Sequence, residues 1–334
     1  MESNYNNGRD VKIVVTGCLG FIGSHFVKYT LENYPNMFVV GFDRYTNEQS
    51  VERLEKEGLW KESTKNRFRM VYGDLTGDVK EMLADTDIVF NFGAKTHVDH
   101  SKYSPESFIQ SNVLGPFNLL EAVRSHNQNT LFVEISTDEV YGQAEGEVPF
   151  SEYAMLKPTN IYSATKCAGD LIALAYGKTY GIEVLVTRCE NNYGEFQHPQ
   201  KVLPVYIRHA LEGKQLPVYA PGTQKRKWLY VGDHCDAIWT LVEAGARGVC
   251  NIAGGEELEN LELASKVMRF LETPHAKDRV EMIDTATIRP FHDKRYNIKA
   301  TVLEALHWKP KMDLNDGLCQ TIKWYKKNRR WLIP

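Results

Sequence analysis

The chain has 334 residues, which is enough for one large domain and a smaller second lobe. Apolar residues make up 43% and charged residues 25% of it, values typical of a globular protein with a full core. The net charge of −3 argues against general binding to nucleic acid, and no apolar run reaches the length of a membrane span.

The sequence also predicts a cytoplasmic location. Residues 1–10 are polar and rich in asparagine, without the apolar stretch of a signal peptide, and we expect them to form a flexible arm. The six cysteines are scattered along the chain with no Cys-x-x-Cys pair. That pattern is typical of reduced, mostly buried thiols rather than of disulfides or a metal site.

Residues 11–188 alternate between two patterns. Short β-branched runs predict strands at 11–16, 38–42, 68–72, 88–92, 131–135 and 184–187. Helical patterns lie between most of them, at 21–33, 51–56, 79–83, 105–125 and 162–180. Strands that alternate with helices imply a parallel sheet covered on both faces. We therefore expect a doubly wound, Rossmann-type α/β domain, with ligands beyond the carboxyl ends of its strands.

The pattern changes after residue 188. Turn-rich segments appear, and helical patterns follow near 202–211, 233–244, 258–271 and 314–327. We expect 189–334 to form a smaller, mixed α/β C-terminal lobe that binds the substrate.

The first predicted strand runs directly into a glycine-rich loop. Gly17, Gly20 and Gly23 have the spacing G-x-x-G-x-x-G, and Phe21 and Ile22 stand between the last two. Glycines allow the backbone to approach a pyrophosphate closely, and the N-terminus of the next helix attracts its negative charge. Any tight strand-to-helix turn needs glycine, but this position between a strand and a helix indicates a dinucleotide site.

Acidic residues end the second and third predicted strands. Asp43 can hydrogen-bond the adenosine ribose and would repel a 2′-phosphate, which favours NAD over NADP. Arg44 weakens this preference, because an arginine can accommodate that phosphate. Asp74 can bind the adenine amino group or cap the next helix, and both interpretations stay open. Leu75 and Ala94, after the third and fourth strands, complete the predicted NAD site.

The fifth predicted strand ends in the polar run 136–142 (STDEVYG), and Tyr162 and Lys166 follow it, four residues apart on one helix face. A lysine ammonium favours the phenolate and lowers the pKa of a neighbouring tyrosine. Such a tyrosine can remove a proton from a hydroxyl while hydride leaves for a nicotinamide. Tyr-x-x-x-Lys alone is usually an ordinary helix face. Its place after a cofactor-type sheet, with Ser136 and Thr137 at a strand end, favours catalysis.

Together these motifs resemble the extended short-chain dehydrogenase/reductases. The run 136–142 is similar to one branch of that family, the dTDP-glucose and UDP-glucose 4,6-dehydratases. The similarity covers nearly the whole chain and includes the segments 95–99 (KTHVD), 188–194 (RCENNYG), 197–201 (QHPQK) and 289–293 (RPFHD). Sugar epimerases of the same superfamily keep the tyrosine and the lysine but lack the adjacent acids, so Asp138 and Glu139 are the most specific signal.

The resemblance gives each polar residue of the run a role. In the family, hydride leaves C4 of the sugar for NAD, the ketone formed acidifies the C5 hydrogen, water is lost across C5 and C6, and hydride returns to C6. By resemblance, Glu139 is the base at C5, Asp138 is the acid at C6, and Thr137 binds the C4 oxygen. Two adjacent carboxyls can hold opposite protonation states when their surroundings differ.

The resemblance also implies that the lobe 189–334 binds a sugar nucleotide. The expected substrate-binding residues are His97, Asn191, Lys201, Arg226, Asn251 and Arg289. Arginines suit a diphosphate because a guanidinium can bond two oxygens at once. Arg226 lies in a basic run that also fits a charged surface loop. His97 and His100 have the spacing of a helical metal pair, but no third ligand is near them in the sequence, and we expect no metal.

A few positions depart from the family pattern. Glu190 stands where a serine is usual, and Lys227 stands where an acid is usual. Phe291 resembles the UDP-using plant-type sequences, whereas His292 resembles the bacterial dTDP-using ones. The sequence therefore leaves the nucleotide base open.

Two other functions stay open beside the dehydratase. One is a 4-epimerase or decarboxylase of the same superfamily, against which the two adjacent acids count. The other is a non-catalytic dinucleotide sensor, which would have no use for the set Asp138, Glu139, Tyr162 and Lys166. For the dehydratase we expect a nucleotide-sugar partner, no nucleic acid and no membrane. The resemblance further implies a homodimer, paired through helices near 105–125 and 162–180, and a step toward rhamnose or another deoxysugar.

Overall fold

The computed structural model describes residues 10–45, 48–56, 58, 64, 66–127, 129–272, 279–285 and 292–334. In these residues seven parallel strands form the central sheet, in the spatial order β10 (Gly248–Ile252), β6 (Val184–Cys189), β5 (Leu131–Thr137), β4 (Ile88–Asn91), β1 (Val11–Thr16), β2 (Met37–Asp43) and β3 (Phe68–Tyr72). The order in which strands are added reverses between β1 and β4: β2 and β3 extend the sheet on one side of β1, and β4, β5 and β6 extend it on the other. In sheets of this kind, ligands bind at such a reversal, beyond the carboxyl ends of the strands.

Helices lie on both faces of this sheet. Those before residue 188 are α1 (Phe21–Asn33), α2 (Glu48–Lys56), α3 (Val98–Tyr103), α4 (Pro105–Ile109), α5 (Gly115–His126) and α6 (Ile161–Tyr180). Successive strand residues point to opposite faces, so Ile13 and Val15 belong to one buried cluster and Val14 to another. Both faces of the sheet are therefore buried, as the apolar strands predict.

A second lobe is built around its own apolar core. One sheet joins β7 (Asn191–Tyr193), β9 (Lys225–Tyr230) and β11 (Glu256–Glu259), and β8 (Leu216–Tyr219) pairs with β12 (Val280–Ile283). The lobe's helices are α7 (Val202–Leu211), α9 (Asn260–Phe270) and α11 (Leu314–Lys327), and a short 3-10 helix, Arg329–Leu332, follows α11. Tyr206, Trp228 and Tyr325 are buried in the core between these elements.

The segment after β9 returns to the first domain. Helix α8 (Val231–Glu243) packs on α1, where the indole of Trp239 stacks 4.3 Å from the ring of Tyr34 and donates to Thr30 Oγ1 at 2.9 Å. Strand β10 then adds to the sheet beside β6, and α10 (Thr301–Ala305) packs against β10. The expected division at 188/189 thus does not follow the sheet, because β10 pairs with a strand that lies some sixty residues earlier in the chain.

The predicted fold class is confirmed, with local differences in element type. The helix expected at 258–271 is a strand followed by a helix, because Glu259 and Glu262 form a capping box that begins α9 at Asn260. The helix expected at 105–125 contains a π-helical segment, Gln110–Leu114, and the one expected at 79–83 is a 3-10 turn, Glu81–Leu83.

Some predictions concern residues for which no structure is given. Most of the arm 1–10 and the residues Arg289 and Phe291 lie outside the described ranges. Among the helices that are described, none combines the length and the apolar character needed to cross a membrane.

Candidate active site

A cleft of about 690 Å³ opens at the carboxyl ends of the central strands, between the two lobes. It is lined by the glycine loop after β1, the ends of β2 to β6 and the first residues of the second lobe. Its place at the reversal of strand order is the place that the fold predicts for a ligand.

The glycine loop lets two segments of backbone meet at the bottom of the cleft. A Cβ at Gly17, which has a φ of 67°, would lie 2.7 Å from the backbone of Gly93, and a Cβ at Gly23 would lie 2.2 Å from the carbonyl oxygen of Gly17. Helix α1 begins just after Gly20, so its free N–H groups face the cleft, as a pyrophosphate requires. Phe21 and Ile22 also line the cleft.

Asp43 ends β2 inside the cleft, at the position where a ribose would bind. Its carboxylate accepts hydrogen bonds from the backbone N–H of Leu19 at 2.8 Å and of Arg44 at 2.7 Å, which fixes it against the glycine loop. Burial raises the pKa of Asp43, and the two N–H groups oppose that rise. The side chain of Arg44 pairs with Asp74 at 3.3 Å. Its charge is therefore partly balanced, which makes it a weaker attraction for a 2′-phosphate.

Asp74 fits both interpretations of the sequence. It lines the cleft, and Oδ1 accepts hydrogen bonds from the backbone N–H of Thr76 at 2.9 Å and from its hydroxyl at 2.8 Å. These bonds lower the pKa of Asp74, with that from the backbone N–H of Thr76 as the largest cause. Leu75 and Ala94 line the same part of the cleft, so the structure brings all the predicted NAD-site residues together.

The two adjacent acids differ in their surroundings. Asp138 is buried, and its closest described polar partner is the hydroxyl of Thr137, which donates to it at 3.2 Å. Burial raises the pKa of Asp138 well above its ordinary value, and the charges of Glu139 and Glu190 raise it further. Glu139 instead accepts hydrogen bonds from Asn160 Nδ2 at 3.3 Å and from the hydroxyl of Tyr296 at 3.4 Å. Burial and the neighbouring charges therefore favour the protonated form of Asp138, whereas Glu139 has two hydrogen-bond donors beside it.

Tyr162 and Lys166 are held side by side in the first turns of α6. Asn160 caps this helix by accepting from the backbone N–H of Ser163 at 2.9 Å, which sets where the helix begins. Both side chains are buried and line the cleft. Burial raises the pKa of Tyr162, the charge of Glu139 adds to the rise, and a hydrogen bond with Thr137 opposes it.

The ammonium of Lys166 has a partner that the sequence analysis missed. Its Nζ lies 2.5 Å from Oε1 of Glu134, a fully buried residue of β5. Oε2 of Glu134 accepts from Asn91 Nδ2 at 2.6 Å, and Asn91 Oδ1 accepts from the hydroxyl of Thr16 at 2.6 Å. The expected lowering of the pKa of Tyr162 by Lys166 is outweighed here, since burial dominates and a carboxylate balances the ammonium. The signal for Glu134 was an acid inside an otherwise apolar strand.

Two of the predicted substrate residues lie in the cleft. Asn191 and Lys201 line it, and Lys201 Nζ donates to the backbone oxygen of Thr96 at 3.0 Å, which links the two lobes. His97 lies behind this contact, with its ring stacked 4.1 Å from that of His100. Burial lowers the pKa of His97 to about 4, with the charge of Lys201 as the next cause, so its imidazole is neutral at ordinary pH.

Two other predicted substrate residues are placed differently. Asn251 is fully buried, accepting from the hydroxyl of Tyr141 at 2.8 Å and donating to the backbone oxygen of Lys299 at 3.0 Å, so its side chain is bonded within the protein. Arg226 is buried rather than on a surface loop, with its guanidinium 4.3 Å from the ring centre of Tyr296. In the described structure neither residue lines the cleft, although the charge of Arg226 opposes the rise in the pKa of Asp138.

The sequence analysis also missed part of the wall of the cleft. Trp331, from the 3-10 helix after α11, packs at right angles to Phe196, with ring centres 4.8 Å apart, and the guanidinium of Arg53 lies 5.5 Å from its ring centre. All three line the cleft beside the glycine loop. No local pattern could predict a contact between residues so distant in the chain.

Comparison with known proteins agrees with this geometry. Residues 14–321 match the family model described as GDP-mannose 4,6 dehydratase. A dTDP-glucose 4,6-dehydratase from Streptomyces niveus is 39% identical over 332 residues, covering 97% of this chain and 95% of that protein.

Solved structures give the same result. A dTDP-glucose 4,6-dehydratase from Bacillus anthracis in complex with NAD is 36% identical, covers 96% of this chain and 98% of its own, and superposes with a TM-score of 0.85. A UDP-glucuronic acid 4-epimerase from Bacillus cereus, in complex with UDP-glucuronic acid and NAD, superposes with a TM-score of 0.84 at only 26% identity, covering 95% of this chain and 100% of its own. The overall fold is thus shared with epimerases, so the fold alone does not distinguish the two activities.

Proposed function

The chain belongs to the family of GDP-mannose 4,6-dehydratases and related nucleotide-sugar dehydratases, and from that membership we propose that its cleft converts dTDP-glucose to the 4-keto-6-deoxy sugar with NAD as a catalytic cofactor. The observation that carries this proposal is the pair Asp138 and Glu139, held in different surroundings beside Tyr162 and Lys166. Relatives that are 36–39% identical over nearly the whole chain and are named for dTDP-glucose favour that base over UDP.

NAD, when bound, accepts a hydride from C4 and returns it to C6. For that chemistry the glycine loop and the N-terminus of α1 would hold the pyrophosphate, and Asp43 would hold the adenosine ribose. The pairing of Arg44 with Asp74 supports NAD over NADP, since a balanced arginine offers less to a 2′-phosphate. Lys166, paired with Glu134, lines the cleft with Tyr162, where it would bind the nicotinamide ribose.

Four side chains move or hold protons in the proposed reaction. Tyr162 removes the proton of the C4 hydroxyl, and Thr137 binds the same oxygen. Glu139 then removes the C5 proton, which the C4 ketone has made acidic. Asp138 donates its proton to the C6 hydroxyl, which leaves as water. Asn191 and Lys201 hold the substrate where it crosses to the second lobe, as does Arg289 in the segment beyond the described residues.

We propose that the enzyme is a homodimer paired through α4, α5 and α6. Apolar side chains on these helices are exposed, among them Ile109, Phe117 and Leu171. Phe117 is 6.3 Å from Tyr176 between ring centres, so the exposed residues of α5 and α6 form one surface. An apolar patch on neighbouring helices is typical of a subunit interface.

The location and the pathway are also proposals. All six cysteines lie in the described residues as free thiols, five of them buried, which supports a reducing, cytoplasmic location. A 4-keto-6-deoxy sugar is the precursor from which rhamnose or another deoxysugar can be made.

Incubation with dTDP-glucose and UDP-glucose side by side tests the proposed function. The expected product has lost one water from the sugar and, in heavy water, carries deuterium at C5, because the C5 proton is removed and later replaced from solvent. Faster turnover of dTDP-glucose is expected from the relatives. A product of unchanged mass would indicate a 4-epimerase instead, and bound NAD with no turnover of either sugar would indicate a sensor.

A further inference from the structure

The two positions that depart from the family pattern in and beside the cleft are in contact. Nζ of Lys227 lies 3.5 Å from Oε1 of Glu190, and the side chain of Glu190 is 1% exposed. A buried charge is strongly unfavourable unless it is paired. The charges of Glu190 and Lys227 therefore stabilise each other.

The carboxyl of Glu190 is rigidly fixed. Oε2 accepts hydrogen bonds from the backbone N–H of Gly254 at 3.1 Å and of Gly255 at 3.0 Å. Glycine is needed in this turn, because a Cβ at Gly255 would lie 2.5 Å from the backbone oxygen of Trp228. Oε1 is buried and, in the described part of the chain, has no hydrogen bond besides its 3.5 Å ion pair with Lys227, so the two backbone donors to Oε2 fix the carboxyl at the cleft wall.

Glu190 lies next to the acid of the proposed reaction. Strands β5 and β6 are neighbours, and Thr137 is the register partner of Cys189. Neighbouring strands are about 4.8 Å apart, so the residues that follow these partners, Asp138 and Glu190, leave the sheet side by side. Both line the cleft.

The partners of the two carboxyls decide which of them ionises first. Glu190 has an ammonium and two backbone N–H groups, whereas Asp138 has one hydroxyl and an adjacent acid. Burial raises the pKa of Glu190 to about 7, against the opposing effect of Lys227, and raises that of Asp138 further. The charged and titratable groups that act on the pair are Glu139 from the same turn, Tyr162 from α6, Cys189 from β6, and Arg226 and Lys227 from β9.

We propose that Glu190, with Lys227 as its counter-ion, is a positioning residue that keeps the proton on Asp138 for delivery to the departing C6 hydroxyl. This inference rests on the proposed function. In the step, the proton of Asp138 passes to the C6 oxygen, the C6–O bond breaks and water leaves, while Glu139 takes the C5 proton. Glu190 neither gains nor loses a proton and acts only through its charge.

The direction of the pH effect follows from the order of ionisation. As the pH rises through about 7, Glu190 becomes negative and raises the affinity of Asp138 for its proton. Asp138 therefore stays protonated to a higher pH than it would beside a neutral residue. Without the charge of Glu190, Asp138 should lose its proton at a lower pH. As the pH is raised, elimination should therefore stop earlier than in the wild type.

Single-turnover kinetics of Glu190→Gln with dTDP-glucose test this inference. The rise of bound NADH reports oxidation at C4, which does not use Asp138, and its decay reports the later steps. In the pH profile of the NADH decay rate, we expect the alkaline limb to move to lower pH by about one unit. The alkaline limb in the pH profile of the NADH formation rate should stay at the same pH. Glu190→Asp keeps the charge and should restore much of the wild-type profile, which a purely structural role would not predict.

Glu152→Gln is the matched control. Glu152 is a buried carboxyl that accepts from the backbone N–H of Thr301 at 2.8 Å and of Asn251 at 3.4 Å, but it does not line the cleft. Glu152→Gln should leave the alkaline limb of the NADH decay rate at the same pH as in the wild type. If Glu190→Gln does not fold, Glu190→Ser removes the same charge and should move the limb in the same direction.

A spectroscopic titration separates this inference from the proposed function. The carbonyl stretch of protonated Asp138, identified by its loss in Asp138→Asn, should disappear at lower pH in Glu190→Gln than in the wild type. Equal titrations and equal alkaline limbs in the two proteins would overturn the inference while leaving the dehydratase intact. A wild type that dehydrates neither sugar would overturn the proposed function, and the infrared titration would still measure the effect of Glu190 on Asp138.

Discussion

At the scale of single residues, the chemistry of the cleft depends on the burial and the hydrogen bonds of each carboxyl. Asp138 is buried at a strand end with one hydroxyl beside it, whereas Glu139 receives hydrogen bonds from Asn160 and Tyr296. Two acids that are adjacent in the chain thus lie in different surroundings, and those of Asp138 favour its protonated form. The sequence could predict the pair but not which member is buried, because the donors to Glu139 come from residues more than 20 and 150 positions away.

Glu139→Gln should separate oxidation from elimination. The amide keeps the size of the side chain but cannot remove the C5 proton, so elimination should slow by roughly 10² or more. Tyr162 and Lys166 are unchanged, and NADH should therefore accumulate on the enzyme, measured by its absorbance. Tyr162→Phe is the control that should form no NADH, because it blocks the first step. Full turnover by Glu139→Gln would mean that another group is the base at C5.

The buried ion pair of Glu134 and Lys166 should be important for stability as well as for catalysis. Glu134→Gln leaves the ammonium, 2.5 Å away, without a counter-charge at a site where both side chains are at most 3% exposed. Breaking a buried pair in this way costs about 3–5 kcal/mol. We expect a loss of this size in the free energy of unfolding, measured by denaturant titration, together with a lower kcat.

The matched control for that change is Glu183→Gln. Glu183 pairs with Arg247 at the same distance of 2.5 Å, but its side chain is 54% exposed. Exposed pairs contribute at most about 1 kcal/mol, so this variant should unfold almost like the wild type. Equal losses in the two variants would show that burial does not govern the strength of the Glu134 pair.

At the scale of whole elements, the sequence predicted those features that depend on interactions between neighbouring residues. The glycine loop, α1 and the ends of α6 were predicted closely, since turns and caps depend on a few adjacent residues. The position of β10 was not predicted, because its pairing with β6 joins segments about 60 residues apart. The π-helical segment in the helical run at 105–125 was missed for a similar reason: the side chain of Asn112 forms hydrogen bonds with Lys95 and Thr165, which lie outside that run.

Helix α6 connects the folding of an element to the chemistry of the cleft. Its cap, Asn160, accepts from the N–H of Ser163 and donates through Nδ2 to Glu139. Asn160→Ala should lower the free energy of unfolding by about 1 kcal/mol. It should also slow the decay of bound NADH more than its formation, because Glu139 loses a donor that stabilises its carboxylate.

The cap of α11 offers a control for this prediction. Asp313 accepts from the backbone N–H of Asn315 at 2.8 Å but has no contact with Glu139 in the described structure. Asp313→Ala should cause a similar loss of stability with unchanged NADH kinetics. If both variants change the kinetics equally, the effect of Asn160 is a general consequence of weaker packing.

At the scale of the whole molecule, the two lobes are tied together around the cleft rather than joined by a hinge. Helix α8 and β10 follow β9 of the second lobe in the chain and pack on the first lobe, and Trp331, near the end of the chain, packs on Phe196 in the wall of the cleft. The same arrangement leaves α5 and α6 uncovered on the outer face, where Leu171 is 53% exposed. A surface of this kind needs a partner to cover it, and a second copy of the chain is the partner that we propose.

Leu171→Glu tests the proposed homodimer. In a two-fold interface each substitution appears twice, so a charge at Leu171 would bring two carboxylates into one apolar contact and should convert the dimer to a monomer. Sedimentation velocity measures the change directly. Leu306→Glu, at a position that is 39% exposed just after α10, introduces the same charge away from α5 and α6 and should leave the dimer intact. A wild type that sediments as a monomer, or a Leu171→Glu protein that stays dimeric, would exclude this face as the interface. Helix α6 carries Tyr162 and Lys166 on its other side. The activity of the Leu171→Glu monomer should therefore show how strongly dimerisation rigidifies the active site.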